Sequence, residues 1–525
     1  MDISVFEIIG PVMLGPSSSG TAGMARLGKA AHEFLDAPVK SINLRFHPRF
    51  SGYSGLKSHV ALVGGILGFN ESDPIIRDAL EIAKGKGIDV TASWFHEPYP
   101  SDAHTIGMTI TQTDGKIKVI TGVSVGGGSI DIIEVDGFQL ELESTAKYLF
   151  VWSGADCTDE VKAALPESGR IKISEKNGKY LLYIEVPVDM DEGKAEKIKS
   201  ISSVEKILFT KPFLNFGNVP HEPLFRTFSD VIKLSEETGK DMAQLAIDYE
   251  INRSGRTRDD IFAEMKQSLL YMRETVEFGL TQPVKTLFGV GTGYDGKLVQ
   301  KAVEEGRTLG GSTLGRAIAK AIATYEVGCS MNRIVAAPTG GSSGIVPACL
   351  LTVQEDRGFS DDELVNALFV AAAAGVCMYY HNASFSGAGG GCQGEVGVSS
   401  AIAAAALCYL GGGSTKACCH AMALSMKNLL GLICDPIAGF TEVPCIKRNA
   451  MGAANAFTGC DMALSGVESF VPPDEVIEAL CDTQRRLPPQ LRAGCGGLAC
   501  THTAQMARQL QEKLSKECTL PIKEV

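Results

Sequence analysis

Cys392, Cys434 and Cys445 each stand at a glycine or proline break between helical runs, and this placement constrains the chain more than any other feature. Cys392 follows Gly389, Gly390 and Gly391, Cys434 precedes Asp435 and Pro436, and Cys445 follows Pro444. Glycine lets backbone come close to a bound group and proline fixes a turn, so such breaks suit thiolates that must reach a metal. Thiolates select iron–sulfur clusters, zinc or Cu(I). The separations are too wide for a zinc finger, whose paired ligands lie two to four residues apart. A cluster that only carries electrons usually takes four cysteines. Three would leave one iron open, and an open metal position is a Lewis acid. Three buried structural cysteines is the other reading of the same residues.

Composition sets the outer bounds. A chain of 525 residues holds two or three domains. Its net charge of −12 argues against nucleic-acid binding, which depends on Lys and Arg at phosphates. The N-terminal residues lack the charged region and long apolar core of a secretory signal. The most apolar run, 368–379, is Ala-rich and short for a membrane span. We therefore expect a cytoplasmic protein without membrane or nucleic-acid partners. All but one of the 15 cysteines lie from Cys329 onward, many on Ala/Gly-rich helical runs, which is not a disulfide framework for an intracellular chain.

The pattern divides the chain into three, giving an α+β multidomain class. Residues 1–150 read as an α/β domain, with strands predicted at 41–46, 117–122 and 130–135 and helices at 58–67 and 75–86. Near its start, Ser17, Ser18, Ser19 and Thr21 precede a helix. Hydroxyls and free N–H groups there suit an anion such as a carboxylate, or simply cap the helix. The glycine run 126–128 lies between strands, so it reads as a turn rather than a dinucleotide loop. Residues 151–217 alternate at 172–174, 180–186 and 204–210 around a helix at 191–201. That order fits a small ferredoxin-like α/β module, or a plain connector. Residues 218–525 read as all-α, with helices predicted at 229–238, 241–253, 257–278, 309–327, 361–380, 398–410, 414–430, 450–464 and 473–485. Between the helices, Thr339 and Ser342 sit in a small-residue loop suited to substrate contact or to capping.

The segments AAPTGGSSGIVPA (336–348), NASFSGAGGGCQGEVG (382–397), CDPIAGFTEVPCIKRNA (434–450) and GGLA (496–499) together resemble the catalytic chain of the iron–sulfur-dependent L-serine dehydratases, or L-serine ammonia-lyases. GPVMLGPSSSGTAG, VALVGGILGFN and SVGGGSIDIIEVDGF resemble that family's beta chain. The resemblance implies that Cys392, Cys434 and Cys445 hold a [4Fe–4S] cluster, and that an allosteric substrate-binding-like domain precedes a helical catalytic domain. It also implies an ACT-type module in some members, a homodimer, and a small amino or hydroxy acid substrate. Ser17, Ser18, Ser19 and Thr21 match the family's substrate loop. Asn382, Ser384, Ser386, Glu395, Lys447 and Arg448 are the catalytic candidates beside the cysteines, with Asp435 and Asn449 close by in sequence. Glu395 serves either as a base, if burial raises its pKa, or as a helix-end residue. Cys495, Cys500 and Cys518 are candidate resting ligands or plain thiols.

Several family positions differ. Gly20 and Leu56 stand where the family carries histidines, and the segment before Cys434 has Lys427-Asn428. Arg45, Arg49 and His59 are candidate replacements. The simplest implication of these differences is the same cluster chemistry on a different substrate, such as another β-substituted acid, with L-serine the default that the resemblance names. A thiol substrate losing sulfide and a non-catalytic sensor are the alternatives.

Overall fold

The computed structural model describes residues 3–48, 56–96, 100, 104–142, 147–165, 169–186, 190, 192–211 and 221–509. They fall into two compact units, one containing residues 3–22 and 221–509, the other residues 23–211.

The second unit carries two sheets. The larger is ordered Asp89–Trp94, Val39–Phe46, Thr105–Gln112, Ile117–Gly126, Ser129–Val135, Phe138–Gln139. Only its first pair is parallel. A parallel pair needs a crossover, and here Ser58–Ile66 and Ala79–Gly85 lie in that connection. The helix Gly23–Glu33 packs on Ser58–Ile66 through glycines: a Cβ on Gly28 would lie 2.2 Å from the Leu62 carbonyl oxygen, and one on Gly65 2.0 Å from that of Ala25. Gly126, Gly127 and Gly128 all take positive φ and close a hairpin, as the position of this run between strands predicts. The strands Asp89–Trp94 and Thr105–Gln112 were not predicted from the sequence.

The smaller sheet is antiparallel, ordered Val204–Phe209, Lys147–Ser153, Lys179–Val186, Ile171–Lys176. With the helices Thr158–Ala164 and Glu196–Lys199 it forms the β-α-β-β-α-β order of a ferredoxin-like module. Its first strand and first helix were not foreseen, so the module begins at Lys147 rather than at 151.

The first unit is helical, as expected, apart from one two-stranded ladder that was not. In it Val12–Leu14 pairs antiparallel with Arg333–Val335. The N-terminal segment is also held by the buried pair Glu250–Arg253. Glu250 accepts from Ser4 Oγ and Val5 N, while Arg253 Nη2 lies 2.7 Å from Glu250 Oε1. Helices Asp361–Tyr380 and Val398–Leu410 form the core, and every residue from Val398 to Cys408 is buried. A helix apolar all round belongs in an interior. Asp361–Tyr380 is long and apolar enough to cross a membrane, yet 78% of its apolar window is buried within the protein. Helix Asp295–Glu304 adds to the predicted set, Ile345–Arg357 follows the 339–343 loop where a helix start is expected, and the helix expected at 450 begins at Cys445.

Candidate active site

Three segments of the first unit meet at the cysteines. Cys392 stands at the start of a π-helical turn, Gln393–Gly397, that runs directly into Val398–Leu410. Cys434 lies in an extended loop, where its N–H donates to Leu491 O (2.8 Å) and its carbonyl accepts from Ala493 N (2.7 Å). Cys445 opens the helix Cys445–Leu464, so it sits on a helix end rather than in the break expected from sequence.

The Sγ atoms of Cys392 and Cys434 and a carboxylate oxygen of Glu395 lie within 4.8 Å of one another. Gly387 makes this convergence possible. A Cβ there would stand 2.6 Å from Glu395 Oε2 and 2.8 Å from Cys434 Sγ. The Cys434 thiol is pushed well up by its hydrogen bond with Cys392, by burial, and by the charges of Cys392, Glu395 and Cys445. Burial raises Cys445 as well, with the charges of Cys392, Glu395 and Cys329 adding to it and Arg448 opposing. Thiols that disfavour one another's ionisation become thiolates together only around a cation, so this donor set suits a metal centre.

Glu395 is partly exposed by surface, but its carboxyl is enclosed by protein, and burial pushes it up to about 7 against the Thr339 hydrogen bond and Arg448. Thr339 Oγ1 donates to Glu395 Oε1 (3.1 Å) and also lies 3.1 Å from Ser342 Oγ. Asn449 is fully buried and ties this loop to the Cys445 helix. It accepts from Gly344 N (3.0 Å) and donates to Gly341 O and Cys445 O (2.9 Å each). Arg448 donates to Cys392 Sγ (3.4 Å) and Ile433 O (2.8 Å), and pairs with Asp435 at 2.8 Å. Asp435 in turn accepts from Leu498 N (2.8 Å), which brings the GGLA segment against the Cys434 loop.

These contacts define a site, and comparison with known proteins supplies its kinship. The family profile described as "Serine dehydratase alpha chain" matches residues 237–499. The chain belongs to this family. A probable L-serine dehydratase alpha chain of Bacillus subtilis (strain 168) is 41% identical over 292 residues, covering 55% of this chain and 95% of that one. The L-serine dehydratase alpha chain of Peptoniphilus asaccharolyticus is 38% identical over 287 residues, 54% of this chain and 98% of the relative. An L-serine dehydratase of Streptomyces coelicolor is 34% identical over 284 residues, 52% and 60% respectively.

Within this serine dehydratase fold, the structure sorts the sequence candidates. Glu395, Arg448, Thr339, Ser342, Asp435 and Asn449 gather around the cysteines. Lys447 turns outward, half exposed, to pair with Asp295. Asn382 is exposed with φ +63°, so it ends the preceding helix in a left-handed turn that asparagine tolerates. Ser386 accepts from Gly389 N (3.4 Å) as an N-cap. In the N-terminal loop, Ser17 Oγ accepts from Gly20 N (3.0 Å) and lies 3.4 Å from Ser19 Oγ. That loop abuts the Thr339 segment, for a Cβ on Gly340 would lie 3.0 Å from Ser18 N. Ser18 and Thr21 are buried. Arg45 and His59 belong to the other unit. Arg49 and Cys518 lie outside the described residues. Cys495 and Cys500 are exposed.

Gln484 and the role of Gly387 were not apparent from the sequence. Gln484 is 4% exposed and contacts the cysteine loop from a helix with no motif. A glutamine on the inner face of an otherwise amphipathic helix was the only available signal.

Proposed function

We propose that this chain is a [4Fe–4S]-dependent L-serine ammonia-lyase that converts L-serine to pyruvate and ammonia. The observation that carries this reading is the convergence of Cys392, Cys434 and Glu395, with Cys445 at the adjoining helix start, in a chain of the serine dehydratase family. The donor set fits a cluster: three thiols, of which Cys434 and Cys445 are pushed well up, a hydrogen-bond donor on the Cys392 sulfur, and a glycine where a side chain would fill the space. Held by Cys392, Cys434 and Cys445, such a cluster would supply a Lewis-acidic iron that makes the substrate hydroxyl a better leaving group.

The protein's own groups do the remaining work. Thr339 fixes Glu395 Oε1, which leaves Oε2, on the Cys434 side, to take the weakly acidic Cα proton. A carboxyl near 7 suits that task, because a base works best with its pKa close to the working pH. The Cα–H electron pair becomes the Cα–Cβ double bond as water is lost. The resulting enamine tautomerises and hydrolyses to keto acid and ammonia. Arg448 supplies positive charge beside Cys392 and is held by Asp435. Ser384, Thr339, Ser342 and the 17–21 loop are the proposed substrate contacts.

Replacement of the two family histidines by Gly20 and Leu56 favours a second reading, the same chemistry on another β-substituted acid. We further read the larger sheet as the allosteric substrate-binding-like domain and the ferredoxin-like module as a degenerate ACT-type unit, a reading its strand order supports. A homodimer is proposed from the family resemblance alone. The test is ammonia and keto-acid release by protein reconstituted without oxygen, from L-serine and a panel of β-hydroxy and β-thiol acids. We expect L-serine to turn over and Cys434→Ala to abolish it. An inert serine beside another active acid would shift the assignment to that acid.

A further inference from the structure

Gln484 sits on the helix Pro473–Arg486 with 4% of its surface exposed. Its carboxamide binds one residue twice. Oε1 accepts from Ser384 N (2.9 Å), and Nε2 donates to Ser384 O (2.9 Å). A side-chain amide that satisfies both main-chain groups of a loop residue holds that residue as a neighbouring strand would, in position and in orientation.

The carboxamide reaches Ser384 through a slot between glycines. A Cβ on Gly390 would lie 2.5 Å from Gln484 Nε2, and one on Gly394 3.0 Å from it. The same absent Cβ on Gly394 would strike Ser384 O at 2.2 Å, and one on Gly389 would strike Ser384 Oγ at 2.2 Å. The glycines that flank Cys392 therefore do more than let backbone approach a metal. They clear the path by which Gln484 grips Ser384. Cys392 lies between them, and its carbonyl accepts from Glu395 N (3.2 Å) and Gly397 N (3.1 Å), so the turn that is clamped also carries Glu395. From the other side, Gln393 fastens the turn by donating to Gly390 O and accepting from Gly431 N (2.9 Å each).

We propose that Gln484 is a positioning residue for the active site: its double bond to Ser384, made through the Gly390–Gly394 slot, sets the turn that aims Cys392 and Glu395. This rests on the functional reading above. It goes beyond that reading by assigning an active-site role to a helix that lies outside the segments 336–348, 382–397, 434–450 and 496–499. A neutral amide is the group required, since it offers one acceptor and one donor. A carboxylate would face the Ser384 carbonyl with no proton to give.

The test uses the full chain, reconstituted without oxygen, as wild type, Gln484→Met, Gln484→Glu and the neighbouring control Thr483→Ala. The Thr483 hydroxyl donates to Ala479 O (2.7 Å) within its own helix. Five quantities are read: iron per chain, the rate at which cluster absorption decays in air, kcat and KM for L-serine, and melting temperature. We expect Gln484→Met to lose its cluster roughly tenfold faster and to drop kcat about 100-fold, as misplacements near 1 Å do, with KM moving much less. Gln484→Glu keeps one of the two bonds and should fall between, and it carries the test if Gln484→Met does not fold. Thr483→Ala should match wild type. Decay and kcat within twofold of wild type in the Gln484 variants would overturn the proposal. So would a fall in melting temperature alone, which would mark Gln484 as helix packing. If the wild type releases no ammonia from serine, the reaction assignment fails, while the decay rates still decide the role of Gln484.

Discussion

Gly387 shows how one missing side chain can set a site. Glu395 Oε2 and Cys434 Sγ both occupy the space its Cβ would fill, at 2.6 and 2.8 Å. Gly387→Ala should leave the fold intact, because alanine is the better helix former and the cost of overpacking is about 1–3 kcal/mol. Either Glu395 or Cys434 must then move, and turnover of L-serine should fall on the order of 100-fold. Unchanged turnover in a well-folded variant would show that the two groups need not meet. Legibility differs from residue to residue. The three cysteines and Glu395 stood out in the sequence because thiols and a carboxyl in glycine breaks are chemically conspicuous. Gly387, one glycine among several, did not, since only the folded backbone tells which glycine faces a sulfur. Lys447 was conspicuous for its charge, yet the first turn of its helix points it at Asp295.

At the scale of elements, caps decide where helices begin, and they decide how much was readable. Ser360 and Glu363 form a reciprocal box at the start of Asp361–Tyr380, as do Thr227 with Asp230 and Asp241 with Gln244. Helices with such signatures, and the Ala-rich Val398–Leu410, were legible from spacing alone. Asp295–Glu304 was not, for it follows a glycine loop without a side-chain cap, and of Ile345–Arg357 only the start after Ser343 was legible. Asp474 extends the capping logic across elements. It accepts from Phe228 N (2.8 Å), Ser229 N (3.0 Å), Ser229 Oγ (2.6 Å) and His381 Nε2 (3.0 Å). Burial alone would raise its carboxyl, but these bonds outweigh burial and hold it below the ordinary value. A carboxyl depressed in the folded state stabilises above its unfolded pKa, about 3.9, and loses that contribution as pH falls through the folded value. Asp474→Asn should therefore cost about 1–3 kcal/mol near pH 7. The gap to wild type should close below about pH 4, as read by urea unfolding of the metal-free protein at each pH. A gap independent of pH would mean that shape rather than charge matters there.

At the scale of the whole chain, the first unit draws on both ends of the described sequence. Residues 3–22 enter it through the Val12–Leu14 ladder and the Glu250–Arg253 clamp, and they lay the serine loop beside Gly340. No local pattern forecasts a pairing between segments so far apart in the chain. That is why the sequence alone places this segment with the strands that follow it. The α+β class and the helical C-terminal region were legible, because period and composition change along the chain. The strands Asp89–Trp94 and Thr105–Gln112 were missed because the first buries polar Thr91 and Ser93 on the same face as Asp89, and the second carries Gly107 in its interior. Everything proposed for this chain depends on its three cysteine-bearing segments meeting to hold a cluster. Iron and acid-labile sulfide per chain, with the Mössbauer spectrum, should be measured for oxygen-free wild type and for Cys392→Ala, Cys434→Ala, Cys445→Ala and the buried control Cys349→Ala. Wild type and Cys349→Ala should hold roughly four irons and four sulfides, as a [4Fe–4S] centre requires, and each of the other three should lose both. Zinc in place of iron, or a full cluster surviving any of those three substitutions, would contradict this assignment.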